Sequence, residues 1–468
     1  MHQEPQDRSL KLTPSVRLNR RWVLLLLTVA AVAGMAGCTG IPSSEEISAR
    51  RQLAEVSRGY SQSAEGVSIN AETPLSELLE LAVRRSPQVE AAYFDWMRAV
   101  ETITVERSLP DPRLTFETDI QDVVMGVMPG LMIDVPGPGK LRAQAAVAAG
   151  EARVKYAEFR RAVLMSAANF KRAYFELQAL EDSIQVNKRN IKLVHELKDI
   201  AQAQHAANRA SLQDVLRAEI EADELEVRIE NLEDSRSVAV TRYKTALGFN
   251  LAVHAEIQVP TRFENTKDAP SLEEIYQIAL ARNPTLVLME SEIRRAEAAV
   301  TLARRSSVPD FSLGVETDVK PSTPIVTPQF SITLPIWRDK IAAEIKAAVA
   351  ARNAALARYT EEQLTLAVEF AAMAFMYRES ERELQLLVDR LIPKAKDSLD
   401  VARSGYVGGQ SSFIDFLEAE RSLLQFELAT VDARKSREEA LLNLSLTIGG
   451  ILPLGELDSA GSETEEQL

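Results

Sequence analysis

A chain of 468 residues, 46% hydrophobic and 26% charged, can bury a sizeable core and is long enough for two or three domains. Aromatic residues make up only 6% while Ala, Leu, Glu and Arg abound, a balance that favours helices over sheets. The net charge of −14 without a basic cluster argues against a nucleic-acid partner, and a single cysteine leaves no disulfide partner within the chain.

In chain order, Arg17, Arg20 and Arg21 precede "WVLLLLTVAAVAGMAG", an apolar run of about 15 residues, too short for a comfortable membrane helix and suited to a signal-peptide core. It ends in Met35-Ala36-Gly37 directly before Cys38, which resembles a bacterial lipobox whose cysteine is acylated and becomes the mature N-terminus. An uncleaved anchor and a plain signal peptide with an incidental cysteine are the alternatives. Thr39 in place of Asp after the cysteine implies, by the same resemblance, outer-membrane rather than inner-membrane residence. Residues 1–37 are therefore expected to be a signal peptide, and 38–70 a lipidated, polar and poorly ordered linker.

The rest repeats itself. "PLSELLELAVRRSPQV" at 74–89 matches "PSLEEIYQIALARNPTL" at 270–286, and "LPDPRLTFETDI" at 109–120 matches "VPDFSLGVETDV" at 308–319. "DVPGPGKLRAQAA" at 134–146 then matches "TLPIWRDKIAAEIKAA" at 333–348, and "SLQDVLRAE" at 211–219 matches "SFIDFLEAE" at 412–420. The common order points to duplication. It divides the chain into a first unit, 71–262, a second, 263–452, and an acidic tail, 453–468.

Within a unit the pattern reads helix, hairpin, long helix, tight turn, helix. Val89, Tyr93, Trp96, Val100 and Ile103 are spaced by four and three residues, the seam of a coiled coil. Residues 140–206 contain no proline and only Gly150, with Phe170, Tyr174, Leu177, Ile184 and Ile191 in the same register. The second unit repeats this helix from about 340 to 404, with Leu364, Val368, Ala371 and Phe375 on one seam. The shorter segments 87–108 and 211–246 are expected to stack end to end beside the long helix, and Gly248 and Gly449-Gly450 mark helix ends.

The hairpins alternate. Leu114, Phe116 and Ile120 fall on one face, with Arg113, Thr115, Glu117 and Asp119 on the other. In the second copy Phe311, Leu313, Val315 and Val319 oppose Ser312, Glu316 and Asp318, so Glu117, Asp119, Glu316 and Asp318 are expected to face water. A small soluble sheet packed on the helices and a membrane sheet both satisfy this pattern. A membrane sheet has to close on itself and needs at least eight strands, so four per chain would require an oligomer.

The lipobox, the duplication, the "LPDP" and "VPD" phrases and the Pro-Gly-Lys stretch at 138–140 together resemble the TolC family of bacterial outer-membrane efflux channels, over roughly residues 70–450. The resemblance implies a mainly α chain with a small β part. In it, a long periplasmic α-helical barrel joins four strands that contribute to a trimeric twelve-stranded membrane β-barrel. It implies a homotrimer lipid-anchored in the outer membrane of a Gram-negative bacterium, working with a periplasmic adaptor and an inner-membrane pump. Its periplasmic tips would be the turns near 205–212 and 404–412, built on Asn208 and Gly409. Tyr406, Asp415 and Glu418, with Asp214 from the first unit, match the residues that line or hold shut the family's constriction. Tyr406 and Asp214 could share a hydrogen bond in the closed state. Ser411 stands where some members carry an arginine latch, which puts that latch in doubt. The alternative for Asp415 is a helix N-terminal carboxylate facing the dipole.

Against this, His2, His195, His205 and His254 are scattered, with no metal-ligand spacing, no nucleophile and base constellation and no phosphate-binding glycine loop. No catalytic residue, metal site or cofactor is expected. Met125, Met128 and Met132 cluster at the first hairpin, as apolar fillers or soft-metal ligands. A pore-free periplasmic coiled-coil lipoprotein is the competing function. The cargo, whether metal ions or drugs, is left open.

Overall fold

The computed structural model describes residues 42–61, 69–121, 124–249, 258–260, 263, 264, 266, 271–318 and 325–450. Residue 262, at the expected boundary between the units, Cys38 with the expected signal segment before it, and the acidic tail 453–468 lie outside these. α1 (Ser44–Ser61) precedes the first unit, which comprises α2 (Leu75–Arg84), α3 (Pro87–Arg107), β1 (Arg113–Gln121), β2 (Val124–Val135), α4 (Lys140–Ala206) and α5 (Leu212–Ala246). The second comprises α6 (Leu272–Arg282), α7 (Pro284–Arg305), β3 (Phe311–Asp318), β4 (Ile325–Ile332), α8 (Arg338–Leu386), α9 (Ile392–Val407) and α10 (Phe413–Thr447).

The 67-residue α4 forms because the run lacks proline and is rich in alanine; at 1.5 Å per residue it is about 100 Å long. Two shorter helices stack along it. All five seam residues of α3 are buried, and Trp96, 1% exposed, stacks on Phe159 of α4 with ring centroids 5.6 Å apart. Further along, Tyr243 of α5 packs on Phe170 of α4, and Val215 and Ala218 pack near Leu197 and Ala201. The break between α3 and α5 is closed by Gly248, whose φ of +80° only glycine adopts readily. A Cβ there would also come within 2.6 Å of Arg85.

The second unit closes its break with a side chain. Asn283 caps α7, its Oδ1 accepting from the N–H groups of Thr285 and Leu286 at 2.9 and 3.1 Å, and its Nδ2 donates to the Thr447 carbonyl at 3.1 Å. Asn283→Ala is expected to cost about 1–2 kcal/mol, read as a lower midpoint in guanidinium unfolding of the detergent-solubilised protein.

Near the sheet the helices form one layer in which α3 packs on α4, α4 on α7 and α7 on α8. Towards the turns the sequence is α5, α4, α10 and then α8 with α9. The strands lie in the order β1-β2-β3-β4, all antiparallel, which leaves β1 and β4 as edges without a partner strand among the described residues.

Three expectations need correction. Leu364, Val368, Ala371 and Phe375 form no seam within the chain: Val368 is 71% exposed and the others also face outward. The inward stripe is Leu366, Phe370 and Ala374, the last two packed on Ile275 and Ala279 of α6 and Leu444 of α10. Period alone identifies apolar stripes but not which one meets a partner. The long helix of the second unit is also interrupted by a π-helical turn at Leu387–Leu391, just before Pro393. Proline has no N–H and its ring crowds the carbonyl four residues back, which the wider turn relieves. Finally, the linker contains an ordered helix, α1, because Glu46 is fully buried against Arg50 and Arg107, at 3.2 and 2.8 Å, and accepts a hydrogen bond from Thr104.

Candidate functional site

Two regions carry the residues singled out from the sequence. At one end, α4 turns into α5 through Asn208, φ +55°, and α9 into α10 through Gly409, φ +74°. Asn208 is the one non-glycine residue with positive φ among those described, as expected of a side chain that tolerates the left-handed region. Both returning helices start with the same capping box. Asp214 accepts from the Ser211 N–H at 3.1 Å while its own N–H donates to Ser211 Oγ at 3.2 Å. Asp415 accepts from the N–H and Oγ of Ser412 at 2.9 and 2.8 Å, and its N–H donates to that Oγ at 3.2 Å.

These hydrogen bonds hold the Asp415 carboxyl below its ordinary value, so it is ionised at neutral pH. Glu418, one turn on, is exposed on the same side and shares a groove with Lys394, Ser398 and Ser422. The opposite side, Phe413 and Phe416, is buried around the ring of Tyr406 at centroid distances of 5.5 and 6.0 Å. The expected Tyr406–Asp214 hydrogen bond does not form. The Tyr406 hydroxyl is buried without a partner, while Ser211 engages Asp214. Burial, and secondarily the nearby Asp214 charge, push the Tyr406 hydroxyl up from its usual value. Ser411 donates from Oγ to the Ala402 carbonyl at 3.2 Å and lies over Gly405, where a Cβ would come within 2.3 Å of that oxygen. It is a brace for the turn, not an arginine-type latch.

Above the turn sits a group that sequence reasoning missed. Glu420 of α10 is fully buried, takes a hydrogen bond from Asn190 of α4 at one oxygen, and has no partner at the other. Burial, assisted by Glu221 and opposed by Asn190 and Arg421, raises its carboxyl to about 7. The signal was available: Phe413, Leu417, Glu420 and Leu424 keep the four-three seam spacing, so Glu420 is an acid at an apolar position. A carboxyl raised in the folded state contributes stability fully below its ordinary 4.5 and loses it as pH rises through about 7. Thermal melting at a series of pH values is therefore expected to fall between these limits, and Glu420→Gln to flatten that fall.

At the other end is the sheet. One face carries Leu114, Phe116, Leu131, Leu313, Val315, Val326, Phe330 and Ile332, all exposed. The register places Arg113, Thr115 and Glu117 on the other face, opposite Met132, Gly130 and Met128, with Gly130 also opposite Glu316. Arg113 pairs with Asp134 there at 2.5 Å. Glu117 is exposed in the single chain. Glu316 is on the polar face but only 8% exposed, which corrects its expected contact with water: Gln329 donates to it, and Gly130 opposite leaves room for it to lie flat. The side chains of Asp119, Asp318 and Met125 lie outside the described residues.

Among the described residues no group of three or more His, Cys, Asp or Glu side chains could hold a metal, and no helix is long and apolar enough to cross a membrane.

The sequence pattern of outer membrane efflux proteins matches residues 78–249 and 275–450, both repeat units. Among characterised relatives, the cobalt-zinc-cadmium resistance protein CzcC of Cupriavidus metallidurans is 23% identical over 309 residues, 64% of this chain and 73% of CzcC. The probable outer membrane lipoprotein SilC of Salmonella typhimurium is 22% identical over 306 residues, 63% of this chain and 65% of SilC. Among solved structures, CusC, described in connection with transmembrane channel formation, superposes with a TM-score of 0.70 at 16% identity, covering 82% of this chain and 94% of CusC. With the family's sequence pattern spanning both repeats, and a four-stranded sheet set on long helices, the chain belongs to the outer membrane efflux protein family.

Proposed function

We propose that three copies of the chain close into one conduit: a twelve-stranded barrel in the outer membrane continued by a helical tunnel into the periplasm. The observation that carries this reading is the open sheet, unpaired at β1 and β4, with one face of exposed large apolar side chains. Lipid offers no partner to open edges, so such a sheet has to be completed by further copies. The helical layer supports the same closure. Leu216, Ile220 and Val227 are exposed on α5 at one flank, and Leu364, Val368 and Phe375 on α8 at the other. In this arrangement residues 71–262 and 263–452 are the two units, and Cys38 carries the lipid anchor.

The conduit is passive. An inner-membrane pump supplies the energy, and a periplasmic adaptor joins the pump to the turns at the periplasmic end. Divalent metal cations are the proposed cargo, by analogy with the resistance named for CzcC. A strain lacking the gene, grown on a panel of metals and antibiotics, is expected to lose tolerance to the metals; unchanged tolerance to every compound would remove the export reading.

Asp415 and Glu418 form the cation-attracting ring at the aperture, with Asp214 and Tyr406 beside it. Because Asp415 also caps α10, the test replaces charge and keeps shape: Asp415→Asn with Glu418→Gln is expected to raise planar-bilayer conductance and weaken block by divalent cations at low ionic strength. Conductance and block identical to wild type would show that the acids serve only as helix caps and surface groups. A protein that forms no pore in either version would favour the structural lipoprotein.

A further inference from the structure

We infer that Lys340 of one copy forms an ion pair with Asp111 of the next copy, sealing the junction between barrel and helices across the subunit boundary. The inference rests on the proposed closure into a ring and adds to it a particular contact. Its starting point is a contact inside the chain. Lys140, at the start of α4, places Nζ 2.8 Å from both carboxylate oxygens of Asp310, and the Gly137 N–H donates to the same carboxylate at 2.7 Å. These groups tie the end of β2 to the start of β3, its neighbour in the sheet.

The duplication supplies the same two groups a second time. Asp111 in "LPDP" is the counterpart of Asp310 in "VPDF", and Lys340 is the counterpart of Lys140. Within one copy this second pair cannot meet, because Asp111 precedes β1 and Lys340 follows β4, the two unpaired edges. Both are exposed, and Lys340 reaches Glu344 only at 3.9 Å. When β4 of one copy pairs with β1 of the next, the lysine and aspartate are brought together as their counterparts are.

Strand register supports this. Pro136 and Pro335 stand 199 residues apart, as do Glu117 and Glu316. Transferring the pairs Val135 with Phe311 and Gly130 with Glu316 by that offset sets Leu334 opposite Pro112 and Gln329 opposite Glu117. Between these, Ser331 faces Thr115 and Phe330 faces Phe116, so polar meets polar and apolar meets apolar; a slip of one residue would cross the faces. Lys340 lies one residue further along than strict repetition requires, behind Arg338 and Asp339. Its flexible four-carbon stem spans the difference, and Arg338 is the competing cation.

The test uses the full-length protein in detergent. Asp111→Lys and Lys340→Asp are each expected to lower the temperature at which the oligomer dissociates, and the double reversal to recover most of the loss. Asp111→Cys with Lys340→Cys is expected to give linked oligomers with a short bis-maleimide, the single variants controlling for Cys38, the only native cysteine. A double reversal no more stable than the worse single, or linkage through Arg338→Cys but not Lys340→Cys, would overturn the pair. Thr115→Cys with Ser331→Cys separates the two levels of the argument: disulfide-linked oligomers from this pair alone leave the closure standing without the ion pair. A wild-type protein with the mass of a single chain by light scattering would overturn both.

Discussion

Phe330→Arg is expected to abolish recovery of the protein in the outer-membrane fraction, while Thr327→Arg, in the same strand, leaves it there. The two positions lie on opposite faces, three residues or about 10 Å apart along β4. Phe330 belongs to the exposed apolar face, opposite Leu313, whereas Thr327 is opposite Glu316 on the polar face. Arginine towards lipid costs about 2–4 kcal/mol near the bilayer midplane, and a ring carries that cost once per copy. On the polar face the guanidinium meets water and the Glu316 carboxylate. Membrane fractionation and protease accessibility of both variants give the readout. Equal recovery of the two would mean that the apolar face is not the lipid face.

Arg437→Ala is expected to destabilise the fold by about 3–5 kcal/mol, the cost of breaking a buried ion pair by removing one partner. Arg437 is 2.7 Å from Glu381 of α8 and 3.0 Å from Glu438, and donates to the Thr266 carbonyl at 3.3 Å. Glu438 is itself buried and accepts from the Thr266 N–H. Burial, partly opposed by Glu438, lowers the nearby Lys171 ammonium to about 8, so the cluster is already short of solvation. Without the guanidinium, Glu438 has to take up a proton or remain charged with little compensation. Burial already raises the Glu438 carboxyl, so the loss is expected to be larger at pH 7 than at pH 5. Guanidinium unfolding of wild type and variant at both pH values gives the difference. A change below about 1 kcal/mol would show that water reaches the cluster and replaces the arginine.

What could be read from the sequence divides along physical lines. The strands, α3, α4 and the turns at Asn208 and Gly409 were legible because local rules specify them: alternation, four-three spacing, the absence of proline, and a backbone conformation that few residues accept. The stripe on α8 was misassigned because Leu364 and Phe370 lie on helical faces that are both apolar, and which one is covered depends on where α6 docks. The Arg437 cluster draws on α4, α8, α10 and Thr266, segments far apart in the chain, and no spacing rule connects them. At the turns the acids were found, and the helix N-terminal alternative for Asp415 anticipated part of their local duty, but the reciprocal capping with serine was not read. Asp214 and Asp415 each sit three residues after a serine, so a capping box was legible there as well.

The two turns are alike in backbone and unlike in side chains: Asn208, Asp214 and Arg217 in one, Gly409, Asp415 and Glu418 in the other. Had the proposed ring been assembled from separate single-unit subunits, every turn would be identical, and any substitution would appear at all of them at once. Joining the units in one polypeptide breaks that constraint. In the proposed ring one set of turns can acquire net negative charge, with Asp415 and Glu418, while the other balances Asp214 with Arg217, so selection can adjust the proposed aperture without altering every turn at once.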